Sequence, residues 1–421
     1  VTVRSPSERT LLFLVGAVQF VNVLDFMMVM PLGPDFAAGL GIPMSQLGLV
    51  GGAYTAAAAV AGIVGASFLD RFDRRSALGA AMLGLVLGTV AGGFATGLGT
   101  MVLARCLAGA FGGPATALSI AIVADAVPAE RRGKALGKVM GAFTVASVFG
   151  VPAGLELARL GGWRTPFFSV AALGLVVAGA AIALMPPLRG HLAAGPSAGG
   201  RTLAIASNPT ALLSLASTAA AMASGFAIVP NIATWFQFNL GFPRERLGLV
   251  YMVGGAITFF TLRLAGRLVD RIGAPWTATL GTVILVAGLA AGFGWPPEGV
   301  PVVPLFVAFM VGNSTRNVSV TALSTRVAAP AERARFLSAQ SAVQHLAAAA
   351  GAALSTRILS VHPDGRLGGM RTLVLFSAAL AATLPFLSAA VARRLRAAGS
   401  STASGKGDFL PGAGTSPSET P

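Results

Sequence analysis

The chain has 421 residues, of which 54% are hydrophobic and only 11% charged, with a mean hydropathy of +0.76. Soluble domains carry about 25% charged residues, so this composition excludes a water-soluble globular protein and indicates an integral membrane protein. The net charge of +15 is scattered over short loops, which suits anionic lipid headgroups and argues against nucleic acid as a partner.

Apolar stretches long enough to cross a bilayer, about 20 residues, recur along the chain. Their apolar residues run continuously instead of alternating, so they read as helices and not barrel strands. In the first half the spans fall near residues 11–32, 46–69, 77–97, 100–125, 136–158 and 165–186. In the second they fall near 209–236, 246–268, 275–294, 301–326, 337–358 and 371–392. The expected fold is therefore all-α and membrane-integral, with twelve transmembrane helices in two pseudo-symmetric six-helix bundles. The division is a cytoplasmic N-terminus (1–10), a first bundle (11–186), a Gly/Pro/Ser-containing linker (187–207), a second bundle (208–392) and a disordered cytoplasmic tail (393–421).

Two repeated phrases relate the halves. Asp70-Arg71 and Asp270-Arg271 each close an apolar stretch 200 residues apart, and Pro128-Ala129-Glu130-Arg131 returns 202 residues later as Pro330-Ala331-Glu332-Arg333. Duplicated bundles of this size are characteristic of secondary transporters. Most lysines and arginines fall on the side shared with the N-terminus, which places both termini in the cytoplasm. The first apolar run lacks a small-residue cleavage pattern and is expected to remain in the mature chain. Cys106, the single cysteine, offers neither a disulfide nor a metal framework and reads as a small packing residue.

Ionisable groups inside spans are costly, about 2.5 to 3.5 kcal/mol on insertion scales, so each needs a partner, water or a role. Asp25 lies about fifteen residues into the first span, roughly 20 Å deep at 1.5 Å per residue. Arg105, near the outer start of the fourth span, reaches a matching depth. Three readings stand for this pair: a static ion pair that fixes helix register, a proton-exchanging switch in which the charge of Asp25 sets its pull on Arg105, or direct contact with a polar or cationic substrate. Arg316 and Asn317 in the tenth span and Gln344 and His345 in the eleventh reach comparable depths and are candidates for cavity polarity, with Tyr54, Trp235 and Gln237 as further substrate contacts. Arg263 and Arg326, near helix ends, are read as snorkelling. In the first short loop, Asp70 and Arg74 are placed to form a network with Asp125, although arginines there also enforce topology.

These motifs resemble the major facilitator superfamily, and within it the bacterial drug:proton antiporter and sugar-efflux branch. The superfamily's loop signature is met by Asp70, Arg71, Arg74 and Arg75, with Ala66 and Asp73 in place of its two glycines. The second copy keeps Gly266, Asp270, Arg271 and Gly273 but lacks the basic end. The resemblance implies a charge relay of Asp70, Arg74 and Asp125, and ties Arg105, in Arg105-Cys106-Leu107-Ala108-Gly109, to proton transfer. Gly150, Pro152 and Gly154 resemble the antiporters' fifth-helix motif, where small residues permit close packing and proline removes a helix hydrogen bond.

The expected function is proton-coupled export of a small organic molecule, drug-like or sugar, across the bacterial inner membrane by alternating access. The expected protein is a monomer driven by the proton gradient without a cofactor or metal, and it is not an enzyme. No ATP-binding phosphate loop is present in the sequence. The alternatives are a symporter importing a sugar or organic acid on the same fold and, less consistent with so few His and Cys, a membrane enzyme or transport-dead sensor.

Overall fold

A computed structural model describes residues 8–189, 192, 208–296, 299–328 and 333–404. Among the described residues, twelve long helices follow one another in chain order. The first six are Glu8–Val29, Leu47–Phe68, Arg74–Gly93, Leu98–Ala126, Arg131–Gly161 and Thr165–Leu184. The second six are Pro209–Asn239, Arg244–Ile272, Ala274–Gly294, Val302–Ser324, Arg333–Ile358 and Met370–Ser404. Ten of them are long and apolar enough to cross a membrane by composition alone. The tenth and eleventh helices, which carry Arg316 and the Gln344-His345 pair, complete the set.

The last helix runs twelve residues beyond the expected end at 392, to Ser404. The helix-favouring arginines, leucine and alanines from Arg393 to Ala398 carry it past that point, and it continues through the first Gly/Ser-rich residues, Gly399 to Ser404. Residues 1–7, most of the linker and the tail from 405 lie outside the described residues.

Several spans leave regular α-helix where proline or glycine intervenes. The fifth widens into a π turn at Ala146–Gly150, just before Pro152, whose nitrogen cannot donate. The seventh tightens into a 3₁₀ turn at Val229–Asn231 around Pro230 and widens at Trp235–Asn239. The ninth ends in a π turn, Ala290–Gly294. Two arginines fasten matching helix ends in the two halves. Arg164 donates to the carbonyls of Gly93 and Ala95 at 3.1 and 3.2 Å, and Arg371 donates to Gly294 O at 3.0 Å. Each binds the orphan carbonyls of a helix C-terminus, where positive charge is favoured.

One end of the molecule holds the start of the first span and the 2–3 and 4–5 loops; it is called the termini side, and the opposite end the far side. The bundles meet tightly on the far side. A Cβ at Gly48 would lie 2.1 Å from Ala352 O of the eleventh span, and midway along the fifth and eighth spans one at Gly255 would lie 2.9 Å from the backbone carbon of Ser147. Only glycine permits backbones this close. On the termini side a cavity of about 120 Å³ lies between the bundles, lined by Gly62, Gly65, Pro114 and Leu118 of the first and Ser338 of the second.

Candidate functional site

Asp25 and Arg105 meet in the interior of the first bundle. Asp25 is 0% exposed and Arg105 1%. One guanidinium nitrogen, Nη1, donates to both carboxylate oxygens, at 3.2 and 3.0 Å, and Nη2 donates to the Asp25 carbonyl at 3.4 Å. Thr89 Oγ1 of the third span donates to Asp25 Oδ1 at 2.7 Å. The carboxylate thus joins three helices with charge-assisted bonds.

On its other side Arg105 lies over the ring of Tyr54, 4.8 Å from guanidinium carbon to centroid. Tyr54 packs on Phe26 at 5.1 Å, and Phe26 stacks at 6.1 Å on Phe226 of the seventh span. An aromatic layer therefore runs from the ion pair to the other bundle. Tyr54 is buried and donates its hydroxyl to Asn22, a residue the sequence reading passed over.

A second feature missed in the sequence closes the far side. Asp35, on the short helix Gly33–Leu40, receives Arg244 from the start of the eighth span, with Nε at 2.8 and 3.0 Å from the two oxygens and Nη2 also donating to Oδ2. Arg244 donates further to Leu155 O at 3.3 Å. A shallow cavity of about 370 Å³ beside it is lined by Asp35, Trp163, Gln237 and Arg244 among others. Unpaired, Asp35 and Arg244 read as ordinary loop charges; their separation by 209 positions hides the contact.

At the termini side Arg74 Nε donates to Asp125 Oδ2 at 3.3 Å, joining the third and fourth spans. Arg71, Asp270 and Arg271 are exposed, and the Asp70 side chain lies outside what is described. Asp73, standing where the family signature has glycine, caps the third span by accepting from Arg75 N at 3.0 Å and holds the chain after the sixth span through Leu188 N at 3.0 Å and Arg189 Nε at 3.2 Å. Burial pushes the Asp73 carboxyl upward, but the two backbone N–H groups and the Arg189 guanidinium outweigh it and leave the pKa below the usual carboxylate range.

The other cavity candidates do not converge. Arg316 is 0% exposed and faces the interior of the second bundle, donating to Ser224 Oγ, Ala221 O and Asn313 Oδ1 at 3.1, 3.2 and 2.9 Å. Among the described residues it has no carboxylate partner. Asn317 and His345 are half-buried and Gln344 is exposed; none of the three bonds to Arg316. Trp235, expected to contact substrate, instead donates its indole N–H to Gly292 O at 2.8 Å and stacks on Phe293, because the π turn points it into the second bundle's core. Gln237 lines the far-side cavity and donates to Ala233 O at 3.3 Å. In the fifth span, a Cβ at Gly150 would lie 2.7 Å from Leu24, one at Gly154 3.8 Å from Met28, and Pro152 lies near Gly248 of the eighth span. That motif is thus seated against the first span and the opposite bundle.

The sequence profile of the Major Facilitator Superfamily matches residues 15–352, and the chain belongs to that family. A chloramphenicol resistance protein of Streptomyces lividans is 29% identical over 384 residues, covering 89% of this chain and 95% of that one. An MFS-type efflux pump of Mycolicibacterium smegmatis is 26% identical, with 77% of each covered. Among solved structures, a bacterial homologue of the human lysosomal transporter Spinster in an inward-facing and occupied conformation is similar with a TM-score of 0.75 at 17% identity, covering 92% of this chain and 97% of that one. The protein is thus a multi-pass membrane transporter of the twelve-helix major facilitator fold.

Proposed function

We propose that this transporter exports a small organic molecule in exchange for protons, by alternating access between its two bundles. It acts as a monomer in the bacterial inner membrane with both termini in the cytoplasm, and the proton gradient is its only energy source. The observation that carries the reading is the buried Asp25–Arg105 pair. An arginine keeps its proton at any physiological pH, so Asp25 is the member able to exchange one. Its release or uptake changes the charge holding three helices together.

With the termini in the cytoplasm, the far side is the outer face. The Asp35–Arg244 pair and the Gly48–Ala352 contact close that face, and the termini-side cavity opens inward. This is a loading state, in which substrate enters from the cytoplasm and the proton leaves to it. The efflux names of the relatives support this direction, and chloramphenicol is accordingly a first probe.

The test is transport in proteoliposomes with a preset pH gradient, using chloramphenicol, a purine nucleoside, a sugar, an organic acid and tetraphenylphosphonium. The proposal expects at least one compound to move opposite to protons and to lose its accumulation when a protonophore is added. Movement of substrate and proton in one direction means symport, and accumulation indifferent to the gradient removes proton coupling.

A further inference from the structure

On the first span Gln19 and Asn22 lie one turn apart, between Asp25 and the termini side. Tyr54 donates its hydroxyl to Asn22 Oδ1 at 2.8 Å. With that oxygen occupied, Asn22 Nδ2 donates to Gly112 O at 2.9 Å and to Thr116 Oγ1 at 2.7 Å. Gln19 Nε2 reaches the same Thr116 oxygen at 3.4 Å. There the chain of contacts stops: Gln19 is 6% exposed, and its Oε1 has no partner.

Buried polar atoms are paired as a rule, and a membrane span makes the exception costlier. The rest of the network is closely built. A Cβ at Gly112 would sit 2.1 Å from Tyr54 Oη and 2.6 Å from Asn22 Oδ1, so glycine there is what lets the two groups meet. At its other end the network touches the ion pair, because the ring of Tyr54 is the surface on which Arg105 rests.

We infer that Gln19 is the substrate-reading end of a relay, Gln19–Thr116–Asn22–Tyr54, whose other end is the Asp25–Arg105 pair, and that the ligand it selects is an uncharged molecule bearing a hydroxyl or amide hydrogen. This inference rests on the proton-exchange reading above. The open atom is an acceptor, so it requires a donor hydrogen from the ligand. Asp25, the carboxylate at the far end of the relay, already accepts from Arg105 and Thr89, so a cationic compound meets no open counter-charge there. A ligand hydrogen bond at Gln19 fixes the amides and through them the Tyr54 ring, which biases how Arg105 holds Asp25. By linkage, protonation of Asp25 changes the affinity at Gln19 by the same factor.

The decisive experiment compares wild type, Tyr54→Phe, Gly112→Ala and Gln19→Leu in proteoliposomes, with chloramphenicol as the donor-bearing probe and tetraphenylphosphonium as the donor-free cation. Tyr54→Phe keeps the ring under Arg105 and deletes only the hydroxyl. Two rates are read for each variant: substrate exchange without a pH gradient, and accumulation driven by one. The ratio of driven accumulation to exchange is expected to fall about tenfold in Tyr54→Phe and in Gly112→Ala, the effect of one buried hydrogen bond. Gln19→Leu is expected to raise the half-saturating chloramphenicol concentration about tenfold. An unchanged ratio in Tyr54→Phe, or wild-type protein that moves tetraphenylphosphonium as readily as chloramphenicol, overturns the relay while leaving proton exchange intact. Wild-type protein that moves no protons with any probe overturns the exchange reading itself, and the relay with it.

Discussion

Replacing Arg244 with alanine should open the far side. The guanidinium spans three elements, the helix Gly33–Leu40, the end of the fifth span and the start of the eighth, and it makes an ionic tie across the bundles at that face. A hydrogen bond to a charged group contributes about 1.5 to 3 kcal/mol. Both side chains are between a fifth and a quarter exposed, 20% and 24%, so solvent screening lowers this figure for the pair to about 1 to 2 kcal/mol. At 1.4 kcal/mol per factor of ten, the ratio of closed to open far side should fall by roughly 5- to 30-fold. Spin labels on cysteines introduced at Leu160 and Val361, in a background where Cys106 is replaced by alanine, report the separation of the two halves by double electron–electron resonance. The expected result is a new, longer distance population in Arg244→Ala and in Asp35→Asn, with the short distance restored in the charge-swapped Asp35→Arg/Arg244→Asp double variant. Distance distributions identical to wild type in both single variants would refute the idea that this pair holds the face closed.

Other consequences are more local. Asp73→Ala should lower thermal stability by about 1 to 2 kcal/mol, the range for a lost helix cap. Because the folded-state pKa of Asp73 is depressed, its contribution is present above the ordinary carboxylate pKa of about 4 and fades as pH falls through the folded value. The melting difference between wild type and Asp73→Ala should therefore be constant near neutrality and shrink in acid; a difference independent of pH down to 3 would contradict the assignment. Gly281→Ala should destabilise by about 1 to 3 kcal/mol, since its Cβ would lie 3.0 Å from Arg316 N and Gly312 O, backbone atoms that cannot yield. An unchanged melting temperature would show more room there than the helices allow. Arg164→Leu and Arg371→Leu should cost similar amounts of stability, about 1 kcal/mol each, because they fasten matching helix ends; an effect in one half only would break that equivalence.

Much of the architecture was legible because bilayer thickness imposes span length and because the repeated phrases share one offset. The Asp25–Arg105 contact was legible for a related reason: two opposite charges at matching depth in apolar helices have few other partners. Depth without rotation was insufficient for Arg316. Its level in the tenth span is as read, but its hydrogen bonds go to Ser224, Ala221 and Asn313 and none to Gln344 or His345. Trp235 was misplaced because a π turn rotates its indole, and no residue pattern marks that turn. Asp35 and Arg244 went unpaired because loop charges carry no depth constraint. Asp73 read as a departure from a glycine pattern, when its position just before Arg74 also fits a helix cap. Gln19 and Asn22 carried a usable signal, two amides one turn apart in an otherwise apolar span.

The central claim is that substrate loading displaces the proton held at Asp25. Purified protein in weakly buffered detergent solution with a pH-sensitive dye tests it without a membrane gradient. Addition of a transported compound should release protons in wild type and none in Asp25→Asn, with binding of the compound itself retained in the variant. Equal proton release from wild type and a folded, substrate-binding Asp25→Asn would contradict the account and leave the Asp25–Arg105 pair as a structural tie between helices.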